Sequence, residues 1–262
     1  MLQHILADFA TTAKKRVPGL YALVRDATPA LLRNRMSWRI YQRHLGVADN
    51  REGIFTRIYQ TDWWGSPESK SGAGSQLART ETFRRELRAW LEDNHVTSML
   101  DAPCGDYNWI RHLEFHAGFR YIGGDIVREL IESNRRRFSD VSFQQLDIVS
   151  DPLPKADAWL CRDALIHFPN ASARAVLERF AASDIRYLLA TTFPSVTENR
   201  DIAFGQYRPL NLRLRPFDLP APRQILRDDD DAFAGRVIGV WSRDDVRNAF
   251  SKQQSVAAPQ KA

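Results

Sequence analysis

Cysteine is scarce: Cys104 and Cys161 are the only two in 262 residues, and their separation matches no metal-ligand spacing. Neither a disulfide framework nor a structural zinc site is expected, and a reducing, cytoplasmic setting fits best. The chain has no run of about eighteen apolar residues, so no membrane-spanning helix is expected. Its opening Met1-Leu2-Gln3-His4 lacks a basic stretch leading into an apolar one, which argues against a secretory signal. There are no internal repeats. Glycine is missing where a dinucleotide site would want it. The turn after the first clear strand holds Gly105 alone, so no G-x-G-x-x-G occurs there.

Apolar material is not lacking. Hydrophobic residues make up 44% of the chain and aromatics 11%, which sets disorder aside as the default. The length suits one large domain with an appendage better than two equal domains. Charge is uneven. Residues 1–48 carry eight Lys or Arg against Asp8 and Asp26, whereas the other residues hold 29 basic and 30 acidic side chains. The basic balance therefore belongs to the N-terminal segment and not to the body, and nucleic acid is not an expected partner.

Residues 1–48 read as short helices broken at Pro18-Gly19 and before Pro29, with Leu2, Ile5, Leu6 and Phe9 at helical spacing. Three readings of this segment stand: a helical cap with solvated charges, a basic amphipathic patch making peripheral contact with a membrane or polyanion, or a disordered extension. Residues 49–250 form the expected main domain, and 251–262 a disordered tail. Helices are predicted over 53–60 and 80–94, the second with Phe83, Leu87, Trp90 and Leu91 on one face. Between them, 66–75 is a polar, glycine-containing loop that reads either as a linker or as a lid over a ligand.

After residue 95, strand and helix patterns alternate. Strands are predicted at 98–101, 120–125, 142–146, 158–162 and 186–192, and helices at 107–116, 127–138 and 171–182. Two late strands, 223–226 and 236–241, flank an acidic turn. This pattern predicts an α/β fold: a Rossmann-like, seven-stranded, mostly parallel sheet with helices on both faces, plus the helical N-terminal extension.

Asp101, Asp125, Asp147 and Asp163 fall at the carboxyl ends of the first four predicted strands. Open α/β sheets bind ligands at that edge. Asp125 lies twenty residues past Gly105, a spacing that lets a carboxylate grip ribose hydroxyls. Asp147 suits an exocyclic amine, with Ile148 covering the ring. A single such Asp is often only a cap or turn residue. One at each of four successive strand ends is harder to assign to capping.

With Gly105, these residues resemble the S-adenosylmethionine (SAM) site of class I, Rossmann-like methyltransferases, over about residues 50–250. The resemblance implies SAM as cofactor. It assigns Asp101, Ala102 and Gly105 to the methionine end, Asp125 with Ile126 to the ribose, and Asp147 with Ile148 to the adenine. Pro103-Cys104 departs from the usual turn, where the family carries another glycine. A narrower resemblance, to bacterial methyltransferases associated with glycan or surface-polysaccharide modification, rests on four segments. They are Trp64-Gly65-Ser-Pro-Glu-Ser-x-Ser71-Gly72-x-Gly74-Ser75, Asp-Ala-Pro-Cys-Gly-Asp-x-Asn-Trp, Cys-Arg-Asp-x-Leu-Ile-His and Asn199-Arg-Asp201-Ile-Ala. It implies O-methylation of a sugar, glycan or other polar small molecule, with Ser71, Gly72 and Ser75 closing over cofactor and acceptor. A lipid- or protein-directed enzyme docked through residues 1–48 and a non-catalytic SAM-binding scaffold are the alternatives.

Transfer to a hydroxyl wants a proton acceptor. In Arg162-Asp163-Ala-Leu-Ile-His167 a helical turn would set Asp163 and His167 on one side, carboxylate orienting base. The competing reading makes the pair a packed junction. Asp163 with Asp201 or Asn199 offers a weaker metal set, so no metal is predicted. Asn199, Asp201, Tyr207 and Arg208 are the expected acceptor wall, with Arg200, Arg208, Arg213 and Arg215 able to grip a phosphate or carboxylate. Both cysteines are expected to be buried and inert.

Overall fold

The structure, a computed structural model, describes residues 50–64, 66–228 and 235–257. The chain divides into two units at Asp49–Asn50, and the described residues belong to the second. The basic N-terminal segment and its three readings lie outside the described residues, as does Gly65. No helix among the described residues is long and apolar enough to cross a membrane.

Seven strands form one sheet: β1 (Ser98–Asp101), β2 (Arg120–Asp125), β3 (Ser142–Gln145), β4 (Ala158–Cys161), β5 (Tyr187–Thr192), β6 (Gln224–Arg227) and β7 (Val237–Ser242). Their order is β3-β2-β1-β4-β5-β7-β6. The first five run parallel, while β7 pairs antiparallel with both β5 and β6. The late strands thus complete the sheet as their pattern predicts. Central β1 and β4 are buried along their whole length. Strand alternation sends Leu100, Trp159 and Cys161 into one core layer and Met99, Ala158 and Leu160 into the other.

Among the described residues, five helices pack around the sheet: α1 (Arg51–Thr61), α2 (Glu81–Asp93), α3 (Arg128–Arg137), α4 (Asn170–Ala182) and α5 (Arg243–Ala257). In α2, Phe83, Leu87, Trp90 and Leu91 recur at helical spacing and are buried. Each such burial contributes roughly 1.5–3 kcal/mol relative to exposure. Helix α3 ends on Arg135, Arg136 and Arg137, cations that suit the negative end of the helix dipole.

Two elements differ from the sequence pattern. Over 107–116 only a single 3-10 turn forms, at Ile110–His112. Tyr107 sits in the left-handed region (φ 59°), which swings its ring among Tyr121, Phe138 and Phe143 at centroid distances of 5.0–5.2 Å. Aromatic packing there overrides helical periodicity. At the other end, α5 continues past Ser251 to Ala257, where a disordered tail is expected, and residues 258–262 lie outside the described residues.

The chain lays β2 and β3 to one side of β1, then returns to lay β4 and β5 on the other. That reversal leaves a crevice beyond the carboxyl ends of β1 and β4, where neighbouring connections diverge.

Candidate active site

A cleft occupies this crevice. Its lining includes ten of the residues singled out from sequence: Asp101, Gly105, Asp125, Ile126, Asp147, Ile148, Asp163, His167, Ser71 and Ser75. Ala102 is fully buried, and Gly72 stands against Trp64; neither lines the cleft.

The turn after β1 is held from several sides. The Cys104 N–H donates to the Gly124 carbonyl (2.8 Å), and the Gly105 N–H to Asp125 Oδ2 (3.2 Å). Asn134 of α3 donates to the Gly105 carbonyl (2.8 Å). Gly105 has φ 54°, and a Cβ there would lie 2.0 Å from Ser71 Oγ. A Gly105→Ala variant is therefore expected to be about 1–3 kcal/mol less stable, read as a lowered Tm, because strain and a clash add. An unchanged Tm would mean that the loop bearing Ser71 is not seated on this turn.

That loop is fastened, and Asp106 fastens it. Its carboxylate accepts from Ser69 Oγ (2.9 Å), the Lys70 N–H (2.8 Å) and Ser71 Oγ (3.2 Å). Asn108 donates to Glu68 and to the Ser75 carbonyl, and Arg162 donates to the Gly74 carbonyl. Residues 66–75 are thus a fixed wall of the cleft in this structure. The roles of Asp106 and Asn108 escaped the sequence reading. The sign available was their place in the Asp-Ala-Pro-Cys-Gly-Asp-x-Asn-Trp segment, which by itself assigns them no partner.

Burial sets the ionisation of the two central aspartates. It pushes Asp101 up to about 7, against the opposing effects of the Tyr121 hydroxyl, which donates to it at 2.7 Å, and of Arg162. Burial also lifts Asp125 to about 6, although the N–H groups of Val127 and Gly105 favour its charged form. Asp147 behaves differently. Its desolvation is outweighed by Arg51 of α1 (Nε 3.0 Å, Nη2 2.5 Å), the Val149 N–H and Ser150 Oγ, which hold its pKa below the usual carboxylate range. Arg51 was not singled out, being 96 residues away in sequence.

Asp163 and His167 come to the cleft but not to each other. Asp163 sits at φ 52°, and its carboxylate accepts from Arg236 Nη1 (2.9 Å) and Thr191 Oγ1 (3.2 Å). Although burial opposes ionisation, Arg162 and Arg236 hold its pKa low. The left-handed residue breaks the helical spacing, so the expected carboxylate–imidazole hydrogen bond does not form. His167 ends a 3-10 turn, and its Nδ1 bonds the Gln206 carbonyl at 2.9 Å. A carbonyl only accepts, so Nδ1 carries the proton and Nε2 keeps a lone pair in the neutral ring. Burial lowers the pKa of His167 and favours that neutral form. Trp64 flanks its ring at 5.0 Å, and Tyr207 stands 6.0 Å away.

The acceptor wall read from sequence is largely internal scaffolding. Asn199 donates to the carbonyls of Asn211, Leu214 and Arg215, and Asp201 caps α4 through the Asn170 N–H (2.7 Å). Arg208 is buried and donates to Arg200 O, Leu165 O and Asn170 Oδ1, with burial lowering its pKa to about 10. A long irregular connection must satisfy its own polar groups, which takes up these side chains. Tyr207, half exposed beside His167, is the exception. Asp163, Asp201 and Asn199, the weaker metal set, are each engaged separately, and no three His, Cys, Asp or Glu side chains among the described residues converge to hold a metal.

Behind β4 lies a buried four-charge cluster. Arg162 binds both oxygens of Asp228 (2.9 Å each), and Arg236 bridges Asp228 (3.3 Å) and Asp163 (2.9 Å). Asp228, which the sequence places in an acidic turn, is buried here. Cys104 and Cys161 are buried free thiols, which burial pushes above the ordinary range.

Neither the protein-family models nor the curated proteins give a match to this sequence. Solved structures do. Human N-acetylserotonin methyltransferase in complex with SAM is 16% identical, with a TM-score of 0.55, covering 78% of this chain and 61% of that one. The chain thus spans less than two thirds of that enzyme's length. Magnesium protoporphyrin IX methyltransferase from Synechocystis with bound SAM is 17% identical over 85% of this chain and 96% of its own, with a TM-score of 0.46. The chain has the Rossmann-like methyltransferase fold.

Proposed function

We propose that the chain is a SAM-dependent methyltransferase acting on a hydroxyl of a polar small molecule such as a sugar or glycan. The observation that carries the cofactor reading is the Gly105–Asp125 pairing at the ends of β1 and β2. Gly105 leaves a bare backbone where a Cβ would collide. Asp125 is buried, and each of its oxygens receives one backbone N–H, which leaves lone pairs free for ribose hydroxyls. Ile126, Leu146 and Ile148 supply apolar walls for a flat base, and the Arg51–Asp147 pair gives that end a polar rim. Asp101 faces the methionine end, where an ammonium group would draw out the proton that burial retains.

Bound there, SAM supplies an electrophilic methyl group on a sulfonium. The protein's part is to orient the acceptor and take its proton. His167 suits the second task. Gln206 fixes its tautomer, its low pKa keeps it neutral, and Nε2 has no hydrogen-bond partner among the described residues. Asp163, already neutralised by two arginines, acts as a structural carboxylate.

Calorimetry with S-adenosylhomocysteine (SAH) tests the cofactor reading; no binding to the wild-type chain would sink it. His167→Ala is expected to leave SAH affinity intact and lower kcat about 10²-fold, the lower range for a general base, since proximity carries much of the rate. An unchanged kcat would remove His167 from proton transfer.

The pH dependence divides among three groups. Asp101, raised to about 7, must give up its proton to the ammonium group, and Asp125, raised to about 6, loses its acceptor capacity as pH falls through that value. SAH affinity should therefore level off well above pH 7, fall up to about tenfold per pH unit below it, and fall more steeply below 6. His167, depressed below its ordinary value, should leave kcat flat near neutrality and reduce it only at lower pH. An SAH affinity that instead rose in acid would contradict the role given to Asp125.

A further inference from the structure

Resting on the transfer reading above, we propose that the acceptor is an uncharged hydroxylated ring, stacked on Trp64 and bordered by Tyr207, and that anionic acceptors are rejected. The first support is the fate of the cations. Among the described residues, those lining the cleft are Arg51, Lys70 and Arg162. Arg51 gives Nε and Nη2 to the same Asp147 oxygen, Lys70 Nζ lies 3.6 Å from Asp62, and Arg162 is locked between Asp228 and the Gly74 carbonyl. Arg208 is buried with its guanidinium on two carbonyls and Asn170. Bidentate recognition of a phosphate or carboxylate needs a guanidinium with paired donors to give; Arg162 and Arg208 have committed theirs, Arg51 is held on Asp147, and the half-exposed Lys70 is only loosely paired.

The carboxylates point the same way. Asp101 and Asp125 line the cleft without an ion-pair partner among the described residues, and Asp106 stands behind Ser71 in the same condition. With Asp101 keeping its proton until an ammonium group draws it out, Asp125 is the unpaired charge that favours a sulfonium and disfavours an anionic acceptor.

What the site offers instead is aromatic surface. Trp64 lines the cleft with its ring 5.0 Å from the His167 imidazole, so a ring lying on Trp64 brings its edge hydroxyls near the base. Phe55 backs Trp64 at 6.4 Å and joins Phe168 at 5.6 Å, making the floor continuous. Tyr207 remains 50% exposed at the rim, 6.0 Å from His167. Such a surface matches the C–H face of a pyranoside or the π-face of a phenol, with the polar work left to few groups. The shared chemistry is a neutral ring bearing a hydroxyl.

The test is saturation-transfer NMR on the full chain, with and without saturating SAH. The probes are methyl glycosides, simple phenols, and the matching glycosyl phosphates and uronates. Transfer to the ring protons of a methyl glycoside or a phenol, with none to phosphates or uronates, is expected; whichever neutral set responds names the source. Trp64→Ala should weaken that binding about tenfold and Tyr207→Ala less, while SAH affinity by calorimetry stays unchanged. The inference is overturned if a phosphate or uronate binds as well as its neutral counterpart. It is equally overturned if no neutral ring responds, or if Trp64→Ala binds the ring like wild type. Failure of SAH to bind is a separate result: it defeats the cofactor reading, while the SAH-free arm still judges the ring site.

Discussion

Asp125→Ala reduces SAH binding by roughly 10²–10⁴-fold, below detection by calorimetry at ordinary protein concentrations. The size follows from two hydrogen bonds to a buried carboxylate, each contributing about 1.5–3 kcal/mol when the acceptor is charged. Desolvation keeps this carboxylate poorly hydrated in the free protein, so little is lost when ribose hydroxyls replace water. The same side chain accepts from the Gly105 and Val127 N–H groups, so alanine also loosens the turn after β1. Asp125→Asn separates the two effects. It keeps the shape but turns an NH₂ toward one of two backbone donors, so affinity should still fall by at least about tenfold while the Tm moves little. A folded Asn variant binding SAH like wild type would show that Asp125 is only the cap of α3.

Asp228→Ala lowers stability by about 3–5 kcal/mol in urea denaturation, a large part of the margin of an ordinary domain. Arg162, Asp163, Asp228 and Arg236 form a balanced set in which Asp228 and Arg236 are buried almost completely. Removing this carboxylate takes two hydrogen bonds from Arg162 and one from Arg236 and unbalances the buried charges, in a setting where water cannot take its place. The same substitution frees Arg162, whose Nη2 holds the Gly74 carbonyl at 2.9 Å. SAH affinity should therefore drop as well, even under conditions where the variant remains folded. A midpoint within about 0.5 kcal/mol of wild type would mean that the cluster is solvated and contributes little.

The strands were legible because their signal is local. In the parallel core, Met99-Leu100 and the run 158–161 are apolar and end at Asp101 or at Arg162-Asp163, and the observed strands fall within a residue or two of the predicted limits. The helix expected over 107–116 was not legible. Tyr107, Trp109, Ile110 and Leu113 have helical spacing, yet all four bury their side chains from an irregular segment. Periodicity reports which side chains are buried, not which backbone buries them.

The site divides along the same line. A carboxylate at each of four strand ends could be read directly, because strand direction fixes where a strand's last residue emerges. Partners across long separations could not. Nothing local pairs Asp147 with Arg51, Asp163 with Arg236 seventy-three residues on, or His167 with the Gln206 carbonyl. The Asp163–His167 pair shows the converse: a spacing of four predicts contact only if the backbone between is helical, and a left-handed Asp163 removes that condition.

By itself the sequence determined the alternating α/β architecture, the edge of the sheet where ligands gather, and the Asp101, Gly105 and Asp125 that face it. Each depends on short-range rules of backbone geometry and on where apolar residues recur. The tertiary structure alone decided which charged groups remain available. Arg51, Arg162, Arg208 and Arg236 look equally free in the sequence, and each is engaged by a carboxylate or carbonyl brought from far along the chain. Burying a charge demands a partner, and only the folded arrangement supplies one.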